Sequence, residues 1–417
     1  MTIRYDPEQK RVTVREATAF PDEVFEYAHD AEILDMSFCG LTTLPKSLER
    51  FKKLRVVFFS NNEFQTIPEA LASCENLEMV GFRACKLSSL AEHALPPGIQ
   101  VMTLTDNRLT SLPHGIDAYK KLKKIILTGN RLQSLPETLV NCQQMELFRV
   151  PMNLLNQFPE WIKDLPKLGW YNDGANPFHA PIQTTSADLN TYSWNDITIE
   201  EKIGQSASNE VFRAQLKNGT EVAVKLFGGE LTSDGLAIDD MQTSLKVGDH
   251  QNIIGGIGTL TNTPNNKPGM VMPLIPDFFT KLGTTPSLTA YTRDTFPTDK
   301  SFSIEYIVQV LKDITSAMLH CHSNGIMHGD LYAHNILTDK NGHSYLGDFG
   351  AASFYKPGTA EGNVRELIDV KGFGYLMDDL LSRCNMEIPQ YLQELRAICL
   401  NNNLLNRPKF EEIRQSF

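Results

Sequence analysis

The sequence predicts a multidomain α/β chain, an array of short stacked strands followed by a domain of a different make. Three observations lead there. A chain of 417 residues exceeds what a single hydrophobic core comfortably organises. A polar position recurs at Cys39, Asn62, Cys85, Asn107, Asn130, Asn153 and Asn176, at intervals of 23, 23, 22, 23, 23 and 23 residues. After Asn176-Pro177 the period stops, and strand-like alternation resumes in a new context with Ile197-Thr198-Ile199.

The bulk composition narrows the function classes. With 41% hydrophobic and 21% charged residues the chain is an ordinary globular sequence. Its formal charge of −11 argues against general binding to nucleic acid or anionic membranes. The opening MTIRYDPEQK carries no apolar signal region, and no stretch approaches the roughly 18 apolar residues of a membrane span. Seven cysteines without a CxxC pair read as reduced thiols, so a soluble, cytoplasmic protein is expected.

Within the first half, segments such as FFSNNEFQTIP, LTDNRLTSLP and ILTGNRLQSLP share one template. A proline closes it at Pro45, Pro68, Pro113, Pro136 and Pro159, with Ala91 the exception. Residues such as Val57 and Phe59, or Met102 and Leu104, alternate and should point inward from a short strand. A single turn cannot bury its own apolar face, so neighbouring turns must stack. This pattern resembles the leucine-rich-repeat family over roughly 25–180. The resemblance implies a solenoid in which the ladder Asn or Cys satisfies backbone groups of adjacent turns. Residues 1–24, with alternating Arg11 to Arg15, read as an N-terminal cap, and 25–185 as the solenoid. Its outward strand positions include Phe58, Arg83, Thr105, Ile126, Arg149 and Pro151, with Met152 beside them. That concave face is expected to bind a protein partner or substrate, or to regulate the second domain.

The polar stretch up to Ser193 reads as a connector, with 186–193 as linker and 194–417 as the second domain. Four motifs follow in order. Ile203-Gly204-Gln205-Ser206-Ala207-Ser208-Asn209-Glu210-Val211 offers a small-residue loop whose backbone could approach phosphate oxygens. Glu221-Val222-Ala223-Val224-Lys225 ends an apolar strand on a cation that needs a charged partner. Met327-His328-Gly329-Asp330-Leu331-Tyr332-Ala333-His334-Asn335-Ile336-Leu337 holds an acid and an amide five residues apart. Eighteen residues beyond Asp330 stands Asp348-Phe349-Gly350.

Together these resemble the protein kinase family: the glycine-rich loop, the V-A-I-K strand, H-R-D-L-x-x-x-N and D-F-G. The resemblance covers about 194–417 and implies a bilobal α+β domain using ATP and Mg²⁺. It assigns phosphate contact to Lys225, orientation of the attacking hydroxyl to Asp330, and metal binding to Asn335 and Asp348. Met272, Leu274 and Ile275 fall at the interlobe hinge and, with Ala223, are assigned to nucleotide binding. Asp240, or else Asp239, is the acid available to pair with Lys225, since the helix near 235–248 offers no glutamate. Asp369 resembles the aspartate that braces the catalytic loop, and His328 opens that loop. Arg407-Pro408-Lys409-Phe410 resembles a late family motif.

The chain also departs from the family. Gly329 replaces the arginine that in many kinases senses a phosphate on the activation loop, which implies that this switch is absent. Tyr332 replaces a lysine that neutralises the transferring phosphate; His334 could substitute for it or be a packed histidine. Only 21 residues separate Asp348 from Asp369, and no A-P-E follows. The expected function is a protein kinase, serine/threonine more than tyrosine. Two alternatives are a small-molecule phosphotransferase resembling the aminoglycoside kinases and an inactive kinase-fold scaffold.

Overall fold

The computed structural model describes residues 1–179, 190–205, 209–229 and 231–417. They form two compact units: Met1–Lys167 with Ala175–Phe178, and Leu168–Gly174 with His179–Phe417.

In the first unit β1 (Thr2–Asp6) pairs antiparallel with β2 (Arg11–Arg15), which covers the edge of a parallel ladder. That ladder continues through β3 (Ile33–Asp35), β4 (Val56–Phe58), β5 (Met79–Gly81), β6 (Val101–Thr103), β7 (Lys124–Ile126) and β8 (Leu147–Arg149). Side chains at the inward positions, Val57, Phe59, Met102 and Leu104 among them, are fully buried.

The register comes from the ladder residues. The Asn107 side-chain oxygen accepts the backbone N–H groups of Cys85 (3.1 Å) and Leu87 (2.8 Å) in the preceding turn. Its amide nitrogen donates to the carbonyls of Phe82 (2.7 Å) and Leu104 (3.0 Å). One side chain thereby satisfies buried backbone groups in two successive turns. Cys85 stands in the same position, and its thiol donates to the Phe59 carbonyl at 3.0 Å.

The trailing prolines have a separate role. Pro45, Pro68, Pro113, Pro136 and Pro159 each sit immediately before a 3₁₀ turn, in extended conformation with φ near the value their ring imposes. Where Ala91 replaces the proline, the return segment is irregular turns rather than a 3₁₀ helix. Of the outward positions, Phe58, Arg83 and Met152 are half-buried, whereas Thr105, Ile126, Arg149 and Pro151 are buried.

The second unit begins with the short extended β9 (Trp170–Asn172). Its six-stranded sheet runs β10 (Asn190–Ser193), β14 (Gly258–Thr261), β15 (Gly269–Pro273), β13 (Glu221–Phe227), β12 (Asn209–Leu216) and β11 (Ile197–Gln205). The reading of 186–193 as a connector falls partly on 186–189, outside the described residues. Asn190–Ser193 is a strand parallel to β14, with Tyr192 packed on the sheet's core. Gly258 permits that pairing, because a Cβ there would overlap the Tyr192 ring and the Asn190 carbonyl.

Helix α1 (Ala237–Val247) accompanies this sheet. A second core is built around α2 (Ile304–Ser323) and α3 (Ala360–Leu381), with α4 (Gln390–Cys399) alongside. Between them lie β16 (Thr280–Lys281), β17 (Ile326–Met327), β18 (Ile336–Thr338), β19 (Ser344–Leu346) and β20 (Ser353–Phe354). A sheet core and a helical core within one unit make a bilobal α+β domain. Among the described residues no helix is long and apolar enough to cross a membrane.

Replacing Asn107 with alanine strips two buried N–H groups and the carbonyls of their partners. It should destabilise the first unit by about 2–4 kcal/mol. Urea denaturation followed by near-ultraviolet signals reads this, with the exposed Asn76→Ala changing stability by less than about 1 kcal/mol as the control.

Candidate active site

Strand β13 carries Lys225 toward the interior. Its apolar run Val222-Ala223-Val224 is buried between β12 and β15, and the register sets Ala223 opposite Met272. Leu274 and Ile275, half-buried, follow the end of β15. At the other end of β13 the Lys225 ammonium meets the Asp240 carboxylate of α1 at 2.6 Å. Of the two acids in the first turn of α1, Asp240 is therefore the one that pairs with Lys225. Burial alone would lower the Lys225 pKa; the charges of Asp240 and Asp348 outweigh it and raise the pKa above its ordinary value.

The candidate phosphate loop is described only at its flanks. Gly204 pairs with Val211 and Gln205 with Glu210 across the β11–β12 hairpin, while Ser206, Ala207 and Ser208 lie outside the described residues. Ile203 is exposed, and Glu210 is tied to Lys202 (2.6 Å) and Lys267 (2.9 Å). Asn209 joins Asp240, Asp348 and Gly350 in lining a cavity of ≈ 130 Å³.

The loop after β17 is shaped by a buried carboxylate. Asp369 on α3 accepts the backbone N–H groups of His328 and Gly329, both at 2.9 Å, and contacts His322 Nε2 at 3.0 Å. His328 is itself buried: its Nδ1 accepts the Asp330 N–H (3.2 Å), so its Nε2–H donates to the Gly347 carbonyl (3.2 Å). That bond links the loop carrying Asp330 to the residue preceding Asp348. The Asn335 amide nitrogen donates to the Asp330 carboxylate (2.9 Å) and carbonyl (3.0 Å).

Asp348 adopts a left-handed backbone, φ +60°, uncommon for a non-glycine residue, and its side chain is exposed. Phe349 next to it is buried, with its ring 5.1 Å from that of His328. The alternation turns the acid into the cleft and the phenyl into the core.

His334 is bound through both its backbone N–H and its Nδ1 to Asp294, at 3.0 and 2.7 Å. Tyr332 is buried, stacked on Trp170 with centroids 4.3 Å apart and planes 6° apart. Arg407 is buried and donates to the carbonyls of Asn401 and Leu367, both at 2.9 Å; burial lowers its guanidinium to about 10.

Residues 197–386, all within the second unit, match the family model described as the protein kinase domain. Among known relatives, a probable serine/threonine-protein kinase of Arabidopsis thaliana is 27% identical over 159 residues, covering 37% of this chain and 21% of the relative. The tyrosine-protein kinase Fer of Mus musculus is 29% identical over 159 residues, 37% of this chain and 17% of that protein. A probable serine/threonine-protein kinase of Dictyostelium discoideum is 25% identical over 258 residues, 52% and 24% respectively. The chain spans about a fifth of the length of the curated relatives it matches.

Sequence reasoning missed the segment Leu168–Gly174. Trp170, Tyr171 and Asp173 are buried in the second unit, and Asp173 grips Arg365 of α3. One signal was present. Three residues before the ladder position the repeats carry Phe59, Phe82, Leu104, Leu127 and Val150, whereas the last carries Asp173. A charge at an inward position calls for a partner from elsewhere in the chain.

Lys225→Met leaves Asp240 buried without its cation and should cost about 3–5 kcal/mol of stability. The double variant Lys225→Met/Asp240→Leu should regain most of that in chemical denaturation, while nucleotide affinity stays low in both.

Proposed function

We propose that the chain is an ATP-dependent protein kinase that transfers the γ-phosphoryl group to a serine or threonine hydroxyl of a protein. The observation that carries this reading is that the buried Lys225–Asp240 pair lies within the field of Asp348, while His328 ties the loop of Asp330 and Asn335 to Gly347, the residue before Asp348. An inactive scaffold has no need to hold these charges, whose burial is costly unless they are paired.

In this reading Lys225, fixed by Asp240, contacts the nucleotide phosphates. Met272, Leu274, Ile275 and Ala223 enclose the adenine, and 203–211 covers the phosphates. Asp330 orients the attacking hydroxyl and accepts its proton, the oxygen then bonding to phosphorus as the bond to ADP breaks. Asn335 turns its amide nitrogen to Asp330, which leaves its oxygen for a cation, and the exposed Asp348 supplies a carboxylate. These are hard oxygen donors that suit Mg²⁺. Held there, Mg²⁺ would supply positive charge against the phosphates. His328 and Asp369 hold the loop in shape.

Serine or threonine is favoured over tyrosine by the named relatives, with Fer the counter-example. The periodic ladder supports a leucine-rich-repeat solenoid from residue 25 onward, capped by 1–24, and a kinase domain whose sheet begins with β10 at Asn190–Ser193. Its concave face, around Phe58 and Arg83, would engage a protein partner or substrate. A cytoplasmic location agrees with the reduced thiols.

Transfer from γ-labelled ATP with Mg²⁺ tests the reading, onto the chain itself, onto basic proteins and onto aminoglycosides. Asp330→Asn and Asp348→Asn should each lower protein labelling by about 10²–10⁴-fold while leaving thermal unfolding unchanged. Label on the aminoglycoside alone would instead support a small-molecule phosphotransferase. Nucleotide binding without any transfer would support a scaffold.

A further inference from the structure

The segment Leu168–Gly174 precedes the kinase-domain match at 197–386, yet its side chains pack into the catalytic unit. Trp170 is buried. Its indole N–H donates to the carbonyl of Leu331, the residue after Asp330, at 3.2 Å. One face of the indole lies on Tyr332; it also stacks with Tyr375 of α3 at 4.9 Å. Gly169 and Gly372 make the approach possible, because a Cβ on Gly372 would come within 2.9 Å of the Gly169 carbonyl oxygen.

Three residues on, Asp173 forms a fully buried bidentate pair with Arg365, at 2.8 and 2.7 Å. Tyr171 donates its hydroxyl to the same carboxylate at 2.7 Å, and His179 Nε2 lies 3.0 Å from it. Burial would raise the Asp173 pKa, but Arg365 and His179 hold it well below the usual carboxylate range. Arg365 also donates to the Ser353 hydroxyl at 3.0 Å. Ser353 belongs to β20, which pairs with β17, the strand that leads into the catalytic loop. The segment therefore grips the loop from two sides, through Leu331–Tyr332 and through Arg365–Ser353.

We infer that Leu168–Gly174 is a built-in positioning element for the catalytic loop, with the Asp173 carboxylate holding Arg365 and, through it, Ser353 of the strand paired with β17. Trp170 and Asp173 are positioning residues, acting through Leu331, Tyr332 and Arg365 on Asp330. A carboxylate in a bidentate pair with a guanidinium has the charge and geometry to fix a segment permanently. Gly329 is consistent with this. Its φ is +71°, and any Cβ there would overlap the carbonyl oxygen of Tyr171 and come within 2.8 Å of that of Ala351. A side chain at position 329 and this segment are mutually exclusive.

The inference rests on the kinase reading for its catalytic consequence, but not for its structural one. The test uses the full chain as wild type, Trp170→Leu, Trp170→Phe and Asp173→Asn, with amide hydrogen exchange and steady-state phosphate transfer measured on each. In Trp170→Leu and Asp173→Asn, exchange across 326–335 should rise at least about tenfold while the centre of α2 stays protected. Turnover should fall about 10–100-fold with KM for ATP within about twofold. Trp170→Phe keeps the stacking and loses only the N–H donor, so it should fall between wild type and Trp170→Leu.

A uniform rise in exchange, or none, with kcat per folded molecule unchanged would overturn the positioning role. If the wild type transfers no phosphate, the kinase reading alone fails, and the exchange data still decide the positioning role.

Discussion

The geometry of the loop that carries Asp330 depends on one buried charge. Asp369 is fully enclosed on α3 and accepts the successive amides of His328 and Gly329, with His322 beside it. Two adjacent N–H groups pointing at one carboxylate fix the backbone that leads into Asp330. A carboxylate stripped of water is stable only with such donors, so loop and helix constrain each other. His328 extends the constraint: bonded to the Asp330 amide and to the Gly347 carbonyl, it sets the spacing between Asp330 and the turn that presents Asp348.

Helix α3 explains how so many charges are tolerated. It buries Arg365, Glu366, Asp369 and Lys371 along with its apolar residues. Arg365 meets Asp173, Glu366 meets Lys409 at 2.9 Å, and Lys371 donates to the Leu400 carbonyl at 2.6 Å. Each partner comes from a different part of the chain, so the helix acts as a hub that selects one arrangement of its surroundings. Such pairs add little net stability over apolar packing, but removing one partner is expensive. What they contribute is positional definition at the loop that holds Asp330.

The repeat ladder was legible from sequence because its physics is periodic. An Asn that bridges two turns must recur once per turn, and Asn62, Asn107, Asn130 and Asn153 each donate to the carbonyl of a residue 25 or 26 positions earlier. The prolines were equally visible, though their placement before each 3₁₀ turn was not. Lys225 with its acid, and the spacing of Asp330, Asn335 and Asp348, were readable because local motifs fix them. The contacts of Trp170 and Asp173 were not. Trp170 meets Leu331 across 161 residues and Asp173 meets Arg365 across 192, distances over which no spacing rule operates. Local composition could not flag β10 either: Asn190–Ser193 is as polar as a connector, and only its pairing with β14 makes it a strand.

The two departures in the loop around Asp330 share one cause. On the sequence alone Gly329 and Tyr332 are separate losses, one of an arginine that senses phosphate and one of a lysine that neutralises it. In space both face Leu168–Gly174. Gly329 is small where the Tyr171 carbonyl approaches, and Tyr332 is aromatic where the Trp170 indole lies nearly parallel to it. An arginine at 329 would collide with that backbone, and a lysine at 332 would forfeit the stack. The residues that depart from the family pattern are thus those that accommodate a segment from outside the matched domain, while Asp330 and Asn335, bonded to each other, keep the motif's residue types.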